Sequence, residues 1–366
     1  MRLALVLEQC LAPVPGGTGR YSAELAAALA RSAPDGASVA GWTSWHLDTR
    51  AARVKGVAGP RRLPLPRRPL VAAWERRRGP VPHAADLVHA PTLLAPPPAG
   101  RPLVVSIHDA VPWSHPETLT ARGVVWHRRM AGLVARTADL VVVPTAAVAD
   151  ELARVLPLGD RVLVVGEGVS DALRLPADAA ARAAAMGLPE RYFLTLATLE
   201  PRKGLDVVMA ALADPAAPDV PLLVAGQPGW GGLDPVAEAA RLGLAPGRVR
   251  LLGRRSDVDL AVLLDRALAL LAPSRAEGFG LPVLEAMAAG LPALTSDAPA
   301  LVEVGGGATL VVPRGDVAAT AAAMRALAED GGLRAQLAAA GLIRSTAYSW
   351  DAAAAALWTA YADLAG

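Results

Sequence analysis

Two glutamates, Glu277 and Glu285, have seven residues between them, and the first five of these read Gly278-Phe279-Gly280-Leu281-Pro282. A carboxylate accepts hydrogen bonds from two vicinal hydroxyls, so such a pair suits a ribose on one side of a diphosphate and a sugar on the other. Gly278 and Gly280 let the backbone approach a ligand closely. The N–H groups of a helix's first turn, at the positive end of its dipole, make a seat for an anion. The elements that must hold this arrangement are legible around it. The apolar run 268–271 has the length of a buried strand, and the Ala-rich segment after it has Pro282 near its start and Gly290 just past its end, where helix entry and exit favour those residues. The stretch therefore reads strand, glycine turn, helix, with Glu277 in the loop and Glu285 inside the helix beside Leu284, Met287 and Ala288. Taken alone, a G-x-G turn marks no more than a helix N-terminus in an α/β protein.

Further residues suited to chemistry lie elsewhere. Thr198-Leu199-Glu200-Pro201-Arg202-Lys203-Gly204 follows the apolar run 192–197. Two adjacent cations beside a glycine at a strand's C-terminal end suit a diphosphate, arginine engaging two oxygens and lysine acting as a point charge. Lysine occurs only at Lys55 and Lys203, so Lys203 stands out; the plain alternative is an exposed Arg-Lys pair. His108-Asp109 closes the run 103–107, at the kind of strand end where open parallel sheets place ligand contacts. A histidine there is otherwise an ordinary capped turn residue. Near the N-terminus, 2–7 leads into Pro13-Val14-Pro15-Gly16-Gly17-Thr18-Gly19-Arg20-Tyr21 and an Ala/Leu helix expected from about Ser22 to Ala30. That spacing is not the dinucleotide fingerprint, and Tyr21 reads as a packing residue. Asp257-x-Asp259 looks like a metal-binding D-x-D, but carboxylates are favoured in a helix's first turn and no further hard-oxygen ligands are grouped nearby. Asp257 is expected to cap or open a helix, and neither a metal nor another cofactor is expected.

At 366 residues with 53% hydrophobic content the chain suits two domains, each with its own core. The single cysteine, Cys10, excludes an internal disulfide, and no Cys/His cluster suggests zinc, which fits a reducing cytoplasm. Glu8 interrupts the first apolar run too early for a signal peptide, and no uncharged run has membrane-spanning length, so a cytoplasmic, soluble or peripheral protein is expected. Charge is uneven: 21 Lys/Arg against 14 Asp/Glu up to Leu175, and 15 against 20 beyond it. Residues 50–78 carry ten of the basic residues among prolines, with Leu70 and Trp74 interleaved. This is either a solvated face or a surface adhering to anionic lipid at the inner membrane face, each nearby basic residue contributing on the order of 1 kcal/mol. No recognition motif accompanies the charge, so nucleic acid is not expected.

In order, 86–89, 103–107, 140–143 and 161–165 read as strands after the first, with a helix opened by Pro144-Thr145, and together describe a doubly wound domain. Residues 171–189 read as an Ala/Pro/Arg-rich linker. A second series follows, with strands at 192–197, 221–225, 248–252 and 268–271, helices at 207–212 and 257–266, the glycine-turn helix, a strand near 293–295, a loop with Glu303, a strand at 309–312 and Ala-rich helices.

The string from Pro273 to Gly290 resembles the E-x7-E signature of retaining, family-4-type glycosyltransferases of the GT-B fold (glycosyl transferases group 1). Other motifs resemble the same family in the family's order: the glycine loop at Gly16-Gly17, Val104-Val105-Ser106-Ile107-His108-Asp109, Gly166-Glu167-Gly168-Val169, the E-P-R-K string at Glu200, Gly226-Gln227-Pro228-Gly229-Trp230, Gly253-Arg254-Arg255 and Ser349-Trp350-Asp351. The resemblance implies an α/β chain with two Rossmann-like doubly wound domains facing across a hinged cleft. Residues 1–172 would form the acceptor-side domain, 173–348 the nucleotide-sugar domain, and 349–366 a helix crossing back to the first.

It further implies metal-independent transfer of a hexose from a nucleotide diphosphate sugar to a hydroxyl of a glycan, a lipid-linked or a small-molecule acceptor. Arg202 and Lys203 would stabilise the leaving diphosphate, Glu277 would hold sugar hydroxyls, and His108 would contact the transferred sugar. The donor would further meet Gly16, Gly17, Gly278, Phe279, Gly280, Leu281, Glu285 at its ribose, and Arg254 near its base. The E-P-R-K and G-W strings resemble mannosyl-type members. The chain departs from the family where Glu167 replaces the usual asparagine, and where Ala197 and Thr198 offer no arginine ahead of Arg202. Two other classes fit the same resemblance: a nucleotide-sugar epimerase or hydrolase of like fold, and a non-catalytic nucleotide-sugar-binding protein.

Overall fold

The computed structural model describes residues 1–365. Two compact α/β units divide the chain: 1–114, 121–168 and the chain from Tyr348 form the first, and 115–120 with 169–347 form the second. The strands are β1 Arg2–Val6, β2 Ser38–Trp45, β3 Ala58–Pro66, β4 Leu87–Ala90, β5 Leu103–Ser106, β6 Leu140–Val143, β7 Val162–Val164, β8 Phe193–Leu196, β9 Leu222–Ala225, β10 Val249–Gly253, β11 Ala269–Ala272, β12 Ala293–Ser296 and β13 Leu310–Val312. The helices are α1 Gly16–Arg31, α2 Arg67–Glu75, α3 Val111–Ser114, α4 Ala121–Thr137, α5 Ala146–Ala153, α6 Ala179–Ala185, α7 Leu205–Leu212, α8 Pro235–Arg241, α9 Asp257–Arg266, α10 Leu281–Ala288, α11 Pro299–Gly305, α12 Val317–Glu329, α13 Gly331–Ser345 and α14 Trp350–Ala365.

Each unit is a parallel sheet, ordered β3-β2-β1-β4-β5-β6-β7 in the first and β10-β9-β8-β11-β12-β13 in the second. Strands covered on both faces read as near-continuous apolar runs, as β9 does with every residue buried; β4 and β5, equally buried, each carry one polar residue, His89 and Ser106. Separate cores form around Trp42, Leu103 and Val141 in one unit and around Phe193, Leu222 and Leu271 in the other. Full burial of such a side chain contributes about 1.5–3 kcal/mol. In each sheet the order reverses once, between β1 and β4 and between β8 and β11. Loops leaving two such strands diverge from a common edge, and the crevice between them is where open α/β sheets bind ligands.

The two parallel-sheet units agree with the doubly wound architecture expected from the sequence; several elements do not follow their sequence expectation. β2 and β3 extend the first sheet by two strands that the apolar pattern does not announce. β3 lies at the sheet edge, where Pro60, Pro64 and Pro66 are tolerated because one side of the strand needs no partner. α1 begins at Gly16 rather than near Ser22, which puts Gly16 and Gly17 in its first turn. Residues 171–189 contain α6, and Glu303 lies in α11 rather than in a loop. α14 packs along α1 in the first unit, where the Trp358 indole donates to Leu29 O at 3.2 Å and Arg31 pairs with Asp351.

Candidate functional site

In the second unit the loops leaving β8 and β11 lie side by side because their strands are neighbours at the reversal point. The Arg275 amide donates to Arg202 O at 2.8 Å, and the Arg275 guanidinium donates to Pro201 O at 2.8 Å while pairing with Asp206 at 2.6 Å. Gly204, left-handed at φ 69°, ends the short turn carrying Arg202 and Lys203 and opens α7. Gly280, left-handed at φ 100°, opens α10, with Pro282 in the first turn where its missing N–H costs nothing. At the far end Gly290 takes φ 69°, its amide reaching Met287 O at 3.1 Å and the Leu291 amide reaching Ala286 O at 2.9 Å. This paired closure terminates a helix through a left-handed glycine.

Between the loops sits a charge cluster. Glu277 Oε1 accepts from Lys203 Nζ at 2.7 Å and from Ser274 Oγ at 2.8 Å, while its Oε2 accepts from Arg202 Nη1 at 2.8 Å. Arg202 also donates to Ala276 O at 3.0 Å and, through Nη2, to Glu200 Oε1 at 2.9 Å. Burial works to raise the Glu277 carboxyl, but Lys203 and Arg202 outweigh it and hold the group down to about 2. Burial raises the Glu200 carboxyl above its ordinary value, and Arg202, its one hydrogen-bond donor, only partly opposes this. The two acids therefore contribute oppositely to stability. Glu277's share is present above the ordinary carboxylate range and lost as pH falls toward about 2. Glu200's is present below that range and lost as pH rises through its raised value.

A recess of about 300 Å³, open solvent included, is lined by Thr195, Lys203, Ser274, Glu277, Gly280 and Pro282 among others. The second unit thus brings together Arg202, Lys203, Glu277, Gly280 and Leu281. Gly278 and Phe279 bridge them in sequence, and Glu285 is buried one turn into α10. Arg254 is exposed just past β10, the edge strand, with two strands between it and β11. Asp257 opens α9 as its first residue, while Ser256 caps the helix by accepting from the Asp259 amide, and Asp259 pairs with Arg182 at 3.0 Å. Among the described residues no group of three or more His, Cys, Asp or Glu could hold a metal ion. The loop 226–232 sits tight on its neighbours. A Cβ at Gly226 would meet Ala197 O at 1.7 Å, and the Trp230 indole donates to Thr118 O at 2.7 Å within the same unit.

In the first unit Gly16 and Gly17 open α1, ten residues past the end of β1, and His108 lies just past the end of β5. His108 Nε2 lies 2.8 Å from Pro91 O. A carbonyl only accepts, so Nε2 carries the hydrogen. Burial lowers the pKa of His108, so the ring is neutral, and its Nδ1 lone pair faces Glu167 Oε1 at 4.0 Å. The Tyr21 ring meets His108 edge-on, centroids 4.6 Å apart.

Three buried groups stand outside the site that the sequence singled out. His89, fully buried, spans Tyr361 Oη at 2.6 Å and Ser106 Oγ at 2.9 Å, and Ser106 continues to Tyr21 Oη at 3.0 Å. Burial pushes His89 down to about 3, so this chain joins α14 to α1 through a neutral imidazole. Glu8, 2% exposed just past β1, accepts from the Ser44 amide at 2.7 Å and lies 2.9 Å from His46 Nε2. The signal for it was a carboxylate ending an otherwise apolar strand. In the sequence Glu200 is marked only as part of the E-P-R-K string; its burial comes from tertiary packing.

The profile of the family described as Glycosyl transferases group 1 matches residues 181–343, and that of Glycosyltransferase Family 4 matches residues 15–173. The two matches together take in most of the chain, which belongs to the family-4 glycosyltransferases. O-antigen chain mannosyltransferase B of Escherichia coli is 36% identical over 163 residues, 44% of this chain and 42% of that protein. Phosphatidyl-myo-inositol mannosyltransferase of Mycolicibacterium smegmatis is 36% identical over 172 residues, 46% of this chain and 43% of its own. The matched part thus spans less than half the length of these relatives. The crystal structure of Anabaena Alr3699/HepE in complex with UDP and glucose superposes over 100% of both chains with a TM-score of 0.78 at 21% identity, which establishes the shared GT-B fold.

Proposed function

We propose that the protein is a retaining hexosyltransferase that moves a sugar from a nucleoside diphosphate donor to an acceptor hydroxyl without a metal ion. The observation that carries this reading is the Arg202–Lys203–Glu277 cluster at the head of α10, beside an open recess at the reversal point of the second sheet. Arg202, Lys203 and the start of α10 receive the diphosphate, Glu277 takes sugar hydroxyls, Glu285 takes the ribose, and Arg254 lies toward the base. The family resemblance assigns His108, neutral with an accepting Nδ1, to a sugar hydroxyl, and Gly16 and Gly17 to the donor. As the bond from the anomeric carbon to the phosphate oxygen breaks, charge collects on the leaving diphosphate, which the two cations stabilise. The acceptor oxygen bonds to the same face of that carbon, and the departing phosphate takes its proton. The two mannosyltransferase relatives incline the reading toward a mannosyl donor.

A thermal-shift panel of nucleoside diphosphates tests the donor site. The matching nucleotide at a hundredfold its dissociation constant stabilises the protein by about 2.7 kcal/mol. A panel in which none shifts the transition contradicts the reading.

We further propose peripheral adhesion to anionic membranes through residues 50–78. Arg50, Arg53, Lys55, Arg61, Arg62 and Arg68 are exposed, whereas Leu70 and Trp74 are each 1% exposed within the core, so adhesion there is electrostatic rather than insertional. Among the described residues no helix is long and apolar enough to cross a membrane. Co-sedimentation is expected with liposomes containing phosphatidylserine and to fade as salt rises; binding indifferent to both lipid charge and salt rules this out.

A further inference from the structure

Glu200 is 3% exposed. Its Oε1 accepts from Arg202 at 2.9 Å, while its Oε2 is buried with no hydrogen-bond partner. Arg202 and Lys203 on its own turn and Glu277 from the loop before α10 are the charged groups that act on it. The nearby Arg275 is matched by Asp206. With both acids ionised, two carboxylates balance two cations, and an arriving diphosphate meets a cluster with no net charge to offer. If one carboxylate gives up its charge, the amides that open α10 are joined by a net positive cluster facing the anion. Glu277 holds three donors, from Lys203, Ser274 and Arg202, and stays ionised. Glu200 has one donor and one bare oxygen, an arrangement in which the charged form is poorly solvated.

Resting on the donor site proposed above, we propose that seating the diphosphate is coupled to the uptake of one proton by Glu200, which leaves Arg202 and Lys203 with net positive charge for the phosphates. The proton adds to the carboxylate to give a neutral carboxylic acid, and no other bond changes. The raised pKa of Glu200 has the sign this requires. A neighbouring anion raises a carboxyl's proton affinity further, so protons are taken up on binding and affinity grows as pH falls.

The test is titration calorimetry on the full chain with UDP- and GDP-hexoses, whose doubly esterified diphosphates stay ionised, in two buffers of different ionisation enthalpy between about pH 5 and about pH 8. The wild type is expected to take up close to one proton more than Glu200→Gln, and its affinity to rise toward low pH by up to about tenfold per pH unit, while the variant's stays flat. Equal uptake in both proteins overturns the inference and leaves the donor site standing. If the variant does not fold, the wild type's own pH profile decides, since pH-independent affinity contradicts the coupling. Failure of the wild type to bind either donor overturns the donor site and this inference with it.

Discussion

Lys203→Ala is expected to lower the rate of sugar transfer by about two to three orders of magnitude, the loss that follows removal of one preorganised group facing a developing anion. The Lys203 ammonium, held at 2.7 Å by Glu277 on the rim of the recess, is a positive charge already in place before any ligand arrives. On the proposed function its contribution is greatest when the diphosphate leaves, so kcat is expected to fall more than KM rises. The substitution also strips one of three donors from Glu277. Breaking a buried ion pair costs about 3–5 kcal/mol when the remaining charge is left alone, and less here because Arg202 and Ser274 stay. Lys203→Arg restores charge but not shape, and is expected to recover part of the rate. Steady-state kinetics on both variants checks this; transfer near the wild-type rate by Lys203→Ala removes the lysine from the mechanism.

Gly204→Ala is expected to abolish transfer and to destabilise the protein by roughly 2–5 kcal/mol, combining left-handed backbone strain with overpacking. A Cβ there would lie 2.2 Å from Pro273 O, a backbone atom that cannot rotate away, and the residue sits at φ 69°. The clash therefore forces the turn bearing Arg202 and Lys203 away from the loop bearing Glu277. Denaturant unfolding measures the stability loss, and wild-type stability with full activity contradicts the close approach. Gly280→Ala is milder in packing, because the nearest atom to its Cβ, Leu301 Cδ2 at 2.5 Å, belongs to a movable side chain.

The contrast explains what the sequence made legible. β8, β11 and α10 were readable because burial on both faces enforces apolar runs, and because Pro282 and Gly290 punctuate the helix by conformational necessity. The cationic turn was readable because Arg202 and Lys203 are adjacent and lysine is rare. β2 escaped because its run, Ser-Val-Ala-Gly-Trp-Thr-Ser-Trp, lacks a continuous apolar pattern, and β3 because its prolines, acceptable only at an edge, look like a loop. The pairing of Arg202 and Lys203 with Glu277 joins residues about 75 positions apart. Nothing in either local string encodes it; it follows from β8 and β11 being neighbours in the sheet. The same holds for His89 and Tyr361, joined across 272 positions by the docking of α14.

The central claim is that a diphosphate lodges at the head of α10 against Arg202 and Lys203. A crystal structure of the chain with the nucleoside diphosphate selected by the thermal-shift panel tests it most directly. The account predicts phosphate oxygens within hydrogen-bond distance of Lys203 Nζ, the Arg202 guanidinium and the amides that open α10. A nucleotide bound away from β8 and β11, with Lys203 and Arg202 still paired only to Glu277 and Glu200, contradicts it.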